Sequence, residues 1–183
     1  VIAPRQVGSV FKPVVYSAAI HNGTRLDAYY SNEQRTYPEY DNWTPRNADN
    51  NYEGYYTLKG ALSKSINTIA VEVLQQTGID VVINHARSLG ITTALPPYPS
   101  LALGVADIPL REMVSPFMAF ANNGVLMTPY YLDEIRTRDG KIIYQAPKSV
   151  GQKVLPANEA HIMSNILASV INEGTGQRLR STY

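Results

Sequence analysis

A serine three residues ahead of a lysine stands near the start of this chain. In "RQVGSVFKP", residues 5 to 13, Gly8 precedes the pair Ser9 and Lys12, and Pro13 follows it. A serine hydroxyl becomes a nucleophile when a neighbouring base takes its proton and hydrogen-bond donors await the oxyanion. At a spacing of three on a helix the two side chains share a face, which brings the amine within reach of the hydroxyl. A helix start also offers free N–H groups and a favourable dipole where negative charge develops. The lysine must be neutral to act as base, so its pKa, ordinarily about 10.4, has to fall through burial or a nearby cation. The competing reading is a solvated serine opening a helix, because Ser-x-x-Lys arises about once by chance in a chain of this size. Two features favour chemistry. Gly8 and Pro13 force a helix start at the pair, since a proline is tolerated only near a first turn. Ser65-Ile66-Asn67 falls at an expected break between two helices. A hydroxyl there can relay a proton, and an amide can hold both a substrate backbone and the lysine.

The elements that must position these residues follow from periodicity and punctuation. A helix is expected from Ser9 through "VFKPVVYSAAI" to the Asn22-Gly23 stop. Residues 24 to 56 lack periodicity and hold seven of the 13 tyrosines together with Trp43. A connection this long reads either as an irregular cover packed on the core or as a functional loop. From Thr57, a plausible cap, "TLKGALSKSINTIAVEVLQQTG" predicts two helices around a break at "SKSIN". Leu58, Ala61 and Leu62 form one apolar face, and Ile69, Ala70, Val73 and Leu74 the next. Further helices are expected over 80–90, capped by Asp80, over 109–123 with a kink at Pro116, and from Pro156 to Gly174. Between the last two, Asp139-Gly140 predicts a hairpin near residues 130 to 145. The fold class is therefore mainly α with a small β-hairpin, in a single domain over 1–183.

Composition narrows the classes. Sixteen basic against 15 acidic residues give a net charge of +1, which argues against a nucleic-acid partner. With no cysteine there is neither a disulfide scaffold, nor a thiolate metal site, nor a thiol nucleophile. His21, His85 and His161 lack metal-ligand spacing, so no metal and no cofactor is expected. Met113, Met118 and Met127 read as core filler. Asn22-Gly-Thr and Asn42-Trp-Thr fit the glycosylation pattern and receive no role. No apolar stretch reaches the length of a transmembrane helix. The first residue is not methionine and the motif follows almost at once, so the chain reads as part of a longer protein.

The motifs in order resemble the transpeptidase domain of penicillin-binding proteins, specifically the bifunctional class A members. "RQVGSVFKPVVYSAAIHNG" resembles their nucleophile segment. "WTPRNADNNYEGYYTLKGALSKSINTIAVEVLQQTG" resembles the approach to their Ser-x-Asn motif, "LALGVADIPLREMVSPFMAFANNGVLMTPYYL" the segment after it, and "INEGTGQRL" the helix end before their third motif. The resemblance implies the helical portion of the α/β penicillin-binding-protein and serine β-lactamase-like fold, with most of the central sheet absent from this chain. It implies Ser9 as acyl-accepting nucleophile, Lys12 as proton acceptor, Ser65 as proton shuttle to the leaving amine, and Asn67 as substrate-binding amide. The implied partners are peptidoglycan stem peptides ending in D-Ala-D-Ala and β-lactam antibiotics. The implied parent is extracytoplasmic and membrane-anchored, with an upstream glycosyltransferase domain. One departure stands out: the Lys-Thr-Gly motif, expected soon after "GTGQRLRSTY", is absent, and Gly174-Thr175-Gly176 lacks its lysine. The 183 residues alone are therefore expected to be poorly active and to self-associate through the surface left by the missing sheet. A class A β-lactamase is disfavoured by the absence of a Glu-x-x-Leu-Asn stretch. A D,D-carboxypeptidase and a non-catalytic helical module remain as alternatives.

Overall fold

The computed structural model describes residues 3 to 148 and 150 to 182. Its centre is α1 (Lys12–His21), in which Lys12 through Ala19 are all buried. A helix apolar on every side can only lie inside, and the others surround it. Around α1 pack α2 (Leu58–Ser63), α3 (Asn67–Thr77), α4 (Ile79–Ser88) and α6 (Ala157–Asn172), while α5 (Leu110–Ala121) lies against α6. A short α7 (Arg178–Thr182) follows α6 and was not expected.

The strands pair only in twos. β1 (Pro4–Gln6) runs antiparallel to β4 (Asp107–Pro109), β2 (Tyr29–Ser31) to β3 (Tyr55–Thr57), and β5 (Val125–Leu126) to β8 (Gln152–Lys153). The expected hairpin is present as β6 (Glu134–Arg136) and β7 (Ile142–Gln145). Its turn closes through Gly140 N–H to the Thr137 carbonyl, with Gly140 at φ +86°. Among the described residues no sheet is wider than two strands. This is the mainly helical class expected, the helical portion of the fold rather than its sheet.

Several expectations need correction. The first helix opens at Gly8–Phe11 as a 3-10 turn, and α-helical bonding begins only at Lys12. Pro13 cannot donate, so the tighter i to i+3 pattern precedes it. Asp80 does not cap α4; it lies in the first turn and the cap position is Gly78. Pro156 precedes α6 instead of opening it. Residues 24 to 56 are not wholly irregular, because their ends zip together as β2 and β3. Met113 is core, whereas Met118 and Met127 are only half-buried. Thr57 does cap α2, its hydroxyl accepting the Gly60 N–H at 3.2 Å. The apolar faces assigned to α2 and α3 are buried.

Candidate active site

Ser9 sits on the 3-10 turn, Lys12 at the first position of α1, and Ser65 and Asn67 at the break between α2 and α3. The turn carrying Ser9 is held from outside. Gly8 donates its N–H to the Gly104 carbonyl at 2.9 Å, and Val7 to Ala106 at 3.3 Å, continuing the β1–β4 pairing. Gly104 has φ +70°, and a Cβ there would collide with the backbone of Gly8. The missing side chain at Gly104 thus lets its segment lie directly against the backbone of Gly8, next to the serine.

Lys12 enters the core completely; its side chain has no exposed surface. The ammonium has three donors, and all three are used. Nζ donates to the Ser65 carbonyl at 2.5 Å, to Ser65 Oγ at 2.9 Å and to Asn67 Oδ1 at 2.6 Å. No carboxylate among the described residues contributes, and burial lowers the pKa of Lys12 to about 8. That places it near neutrality, as a base requires.

The break that supplies these acceptors is strained. Ser65 has φ +55°, a left-handed conformation costly for a residue with a Cβ. Its N–H reaches back to the Leu62 carbonyl at 3.0 Å, which folds the chain sharply so that both its carbonyl and its hydroxyl face Lys12. Asn67 then opens α3 with its amide divided. Oδ1 faces Lys12, and Nδ2 donates to the Arg46 carbonyl at 2.7 Å.

Lys12 is therefore directly hydrogen-bonded to two of the other three expected site residues, Ser65 and Asn67. Ser9 shares with Ser65 a cavity of about 360 Å³, whose lining also includes Pro13, Leu62, Phe117 and Thr175. Ser9 is exposed to this space; its carbonyl accepts the Lys12 backbone N–H, but among the described residues its hydroxyl makes no hydrogen bond to Lys12 Nζ. A second cavity of about 440 Å³ shares Ser65 and Thr175 with the first. Gly174 to Gly176 closes α6: Thr175 donates to the Ser63 carbonyl at 3.1 Å and Gly176 to that of Val170 at 3.0 Å.

His21 and His85 are occupied elsewhere. His85 is buried with Nε2 2.9 Å from Ser17 Oγ, and burial, assisted by His21, lowers its pKa to about 4. His21 Nδ1 lies 2.8 Å from Glu159 Oε2. Residues that sequence reasoning missed are Gly104 and the pair Arg46 and Asn47. Each lies far along the chain from the groups it holds, and no local pattern marks them.

Comparison with known proteins matches this architecture. The family model for the penicillin-binding protein transpeptidase domain covers residues 3–182. Penicillin-binding protein 1A of Aquifex aeolicus is 32% identical over 182 residues, spanning 96% of this chain and 24% of that protein. The chain thus spans about a quarter of the length of such relatives. The crystal structure of penicillin-binding protein 1A from Haemophilus influenzae superposes with a TM-score of 0.89 at 25% identity, covering 98% of this chain and 33% of that one. The D,D-transpeptidase domain of a peptidoglycan glycosyltransferase from Eggerthella lenta shares the fold, with a TM-score of 0.82 at 21% identity over 95% of this chain and 50% of that one. The chain belongs to the penicillin-binding-protein transpeptidase domain family, with class A members as its relatives.

Proposed function

We propose that these residues form the acylation site of a peptidoglycan D,D-transpeptidase. The observation that carries the reading is Lys12, a fully buried amine with a lowered pKa, bound by Ser65 and Asn67 one turn from Ser9. Neutral Lys12 takes the Ser9 hydroxyl proton as Oγ bonds to the carbonyl carbon of the penultimate D-alanine. The C–N bond breaks, the proton passes through Ser65 to the leaving amine, and terminal D-alanine departs. An amine on a neighbouring strand then attacks the acyl-enzyme, and Ser9 regains its proton. A β-lactam follows the first half only: its ring C–N bond opens and the acyl group stays on Ser9.

The three acceptors around Lys12 explain why Ser65 suits the relay. A carbonyl oxygen can only accept, and Asn67 is locked by its bond to Arg46. The Ser65 hydroxyl alone can reverse, accepting from the ammonium and donating to the neutral amine. Asn67 binds the substrate amide once the lysine has released a proton.

The whole protein is read as an extracytoplasmic, membrane-anchored enzyme with a glycosyltransferase domain, acting on peptidoglycan stem peptides and inhibited by β-lactams. No helix among the described residues is long and apolar enough to cross a membrane. A second reading applies to the 183 residues by themselves. The Ser9 hydroxyl stands exposed without a hydrogen bond to Lys12 Nζ among the described residues, and the sequence lacks a Lys-Thr-Gly motif. Losing one oxyanion donor costs about 10²–10³ in rate at comparable sites. This chain alone is thus a slow acylator or a non-catalytic helical module. An apolar groove beside β1 and β4, with Val10 50% and Leu110 62% exposed, is its candidate surface for self-association.

Covalent labelling by a fluorescent penicillin tests the reading. In the full-length protein Ser9→Ala should abolish the label with circular dichroism unchanged, and the 183-residue chain should label far more slowly. Labelling that survives Ser9→Ala places the nucleophile elsewhere. Rapid stoichiometric labelling of the 183-residue chain would show that Ser9, Lys12 and Ser65 suffice.

A further inference from the structure

We propose that Asn47 is a positioning residue for this site: it fixes the first turn of α3 so that Asn67 turns its carbonyl oxygen, and not its amide nitrogen, toward Lys12. The inference rests on the reading of Lys12 as the base.

The first N–H groups of a helix have no partners within it and are ordinarily served by a polar side chain at the cap. At α3 the cap position is Ile66, which has no such side chain. Asn47, from the long segment between β2 and β3, takes over. Its Oδ1 accepts the N–H of Asn67 at 2.9 Å and of Thr68 at 3.2 Å. Its Nδ2 donates to Asn32 Oδ1 at 2.7 Å and to the Asn51 carbonyl at 2.8 Å. Thr68 closes the ring, donating to Asn32 Oδ1 at 2.7 Å. Asn32, Asn47 and Thr68 are all buried, so their polar atoms depend on one another.

Arg46 and Asn47 together decide which way Asn67 faces. Where Asn47 holds the backbone of α3, the neighbouring carbonyl of Arg46 takes Nδ2 of Asn67. Only Oδ1 is then left for Lys12. A turned amide would point N–H groups at an ammonium and set two oxygens against each other at Arg46. Asn47 touches neither Ser9 nor Lys12 by any hydrogen bond among the described residues; it acts through Asn67.

The test is an NMR titration of Lys12, followed at its 13C-labelled ε-carbon, in the 183-residue chain. In Asn47→Ala the Asn67 oxygen should lose its orientation, leaving a buried ammonium with an unpaired donor. The Lys12 midpoint should therefore fall by about one pH unit, the scale of a lost charge-assisted hydrogen bond. In an Asn67→Ala background the same Asn47→Ala change should move it no further. An unmoved midpoint, or an equal shift in both backgrounds, overturns the proposal. If Asn47→Ala does not fold, Asn47→Asp decides: it keeps the oxygen that accepts from α3, so the midpoint should hold or rise, and a fall of a unit would overturn the assignment. Penicillin labelling of the full-length protein is measured separately. If Ser9 never labels there, the functional reading fails while the titration still judges Asn47.

Discussion

Gly8 and Gly104 offer a controlled comparison, because both have positive φ but only one has no room for a side chain. Gly8→Ala places a methyl group in open space at φ +56°, so its cost is backbone strain alone. That strain is about 1–2 kcal/mol for an L-residue in the left-handed region. Gly104→Ala carries the same strain at φ +70° and also drives a methyl group into the backbone of Gly8. Relief requires the two segments to separate, which weakens the 2.9 Å bond from Gly8 N–H to the Gly104 carbonyl. Overpacking adds about 1–3 kcal/mol and a weakened hydrogen bond about 1 kcal/mol. The sum is about 3–6 kcal/mol for Gly104→Ala against about 1–2 kcal/mol for Gly8→Ala. At about 2–4 °C per kcal/mol for a domain of this size, melting should separate the two variants clearly. Because the displaced segment carries Ser9, the label from a fluorescent penicillin in the full-length protein should slow more at Gly104→Ala. A misplacement of about 1 Å at a reacting group can cost about 10²-fold. Equal melting losses for both variants would refute the claim that close backbone contact, rather than left-handed strain, makes Gly104 necessary.

If Lys12 is the base, acylation in the full-length protein should rise with pH through a midpoint near 8, because only the neutral amine accepts a proton. Lys12→Arg should lose at least about 10²-fold in acylation rate, since a guanidinium does not deprotonate at working pH; a loss under about threefold would remove the base role. His85 makes a prediction about stability. Its folded pKa of about 4 lies below its unfolded value of about 6.5, so between those values the unfolded chain binds the extra proton. Stability from this group is complete above about pH 6.5 and is lost as pH falls toward 4, by roughly 3 kcal/mol in all. His85→Gln should flatten that part of the curve of melting temperature against pH; an unchanged curve would mean that other groups carry the acid sensitivity.

Much of the helical framework was legible in the chain itself. The Thr57 cap, the faces Leu58-Ala61-Leu62 and Ile69-Ala70-Val73-Leu74, and the hairpin at Asp139-Gly140 are local signals. Each depends on residues within one or two turns, where propensity and periodicity act directly. The spacing of Ser9 and Lys12, and the break at "SKSIN", were readable for the same reason. Only the tertiary structure decided that Lys12 is wholly buried, that Ser65 meets it from 53 positions away, and that no carboxylate among the described residues offsets the burial. Nor did sequence reveal Asn47 or Gly104. An asparagine in "WTPRN" resembles any polar loop residue, and its task as cap exists only because Ile66 leaves α3 without one. Gly104 resembles any turn glycine until Gly8, nearly a hundred positions earlier, comes to lie against it. Local signals set the elements because their energies are local. The protonation of Lys12 and the aim of Asn67 depend on burial and on partners that adjoin only after the chain has folded.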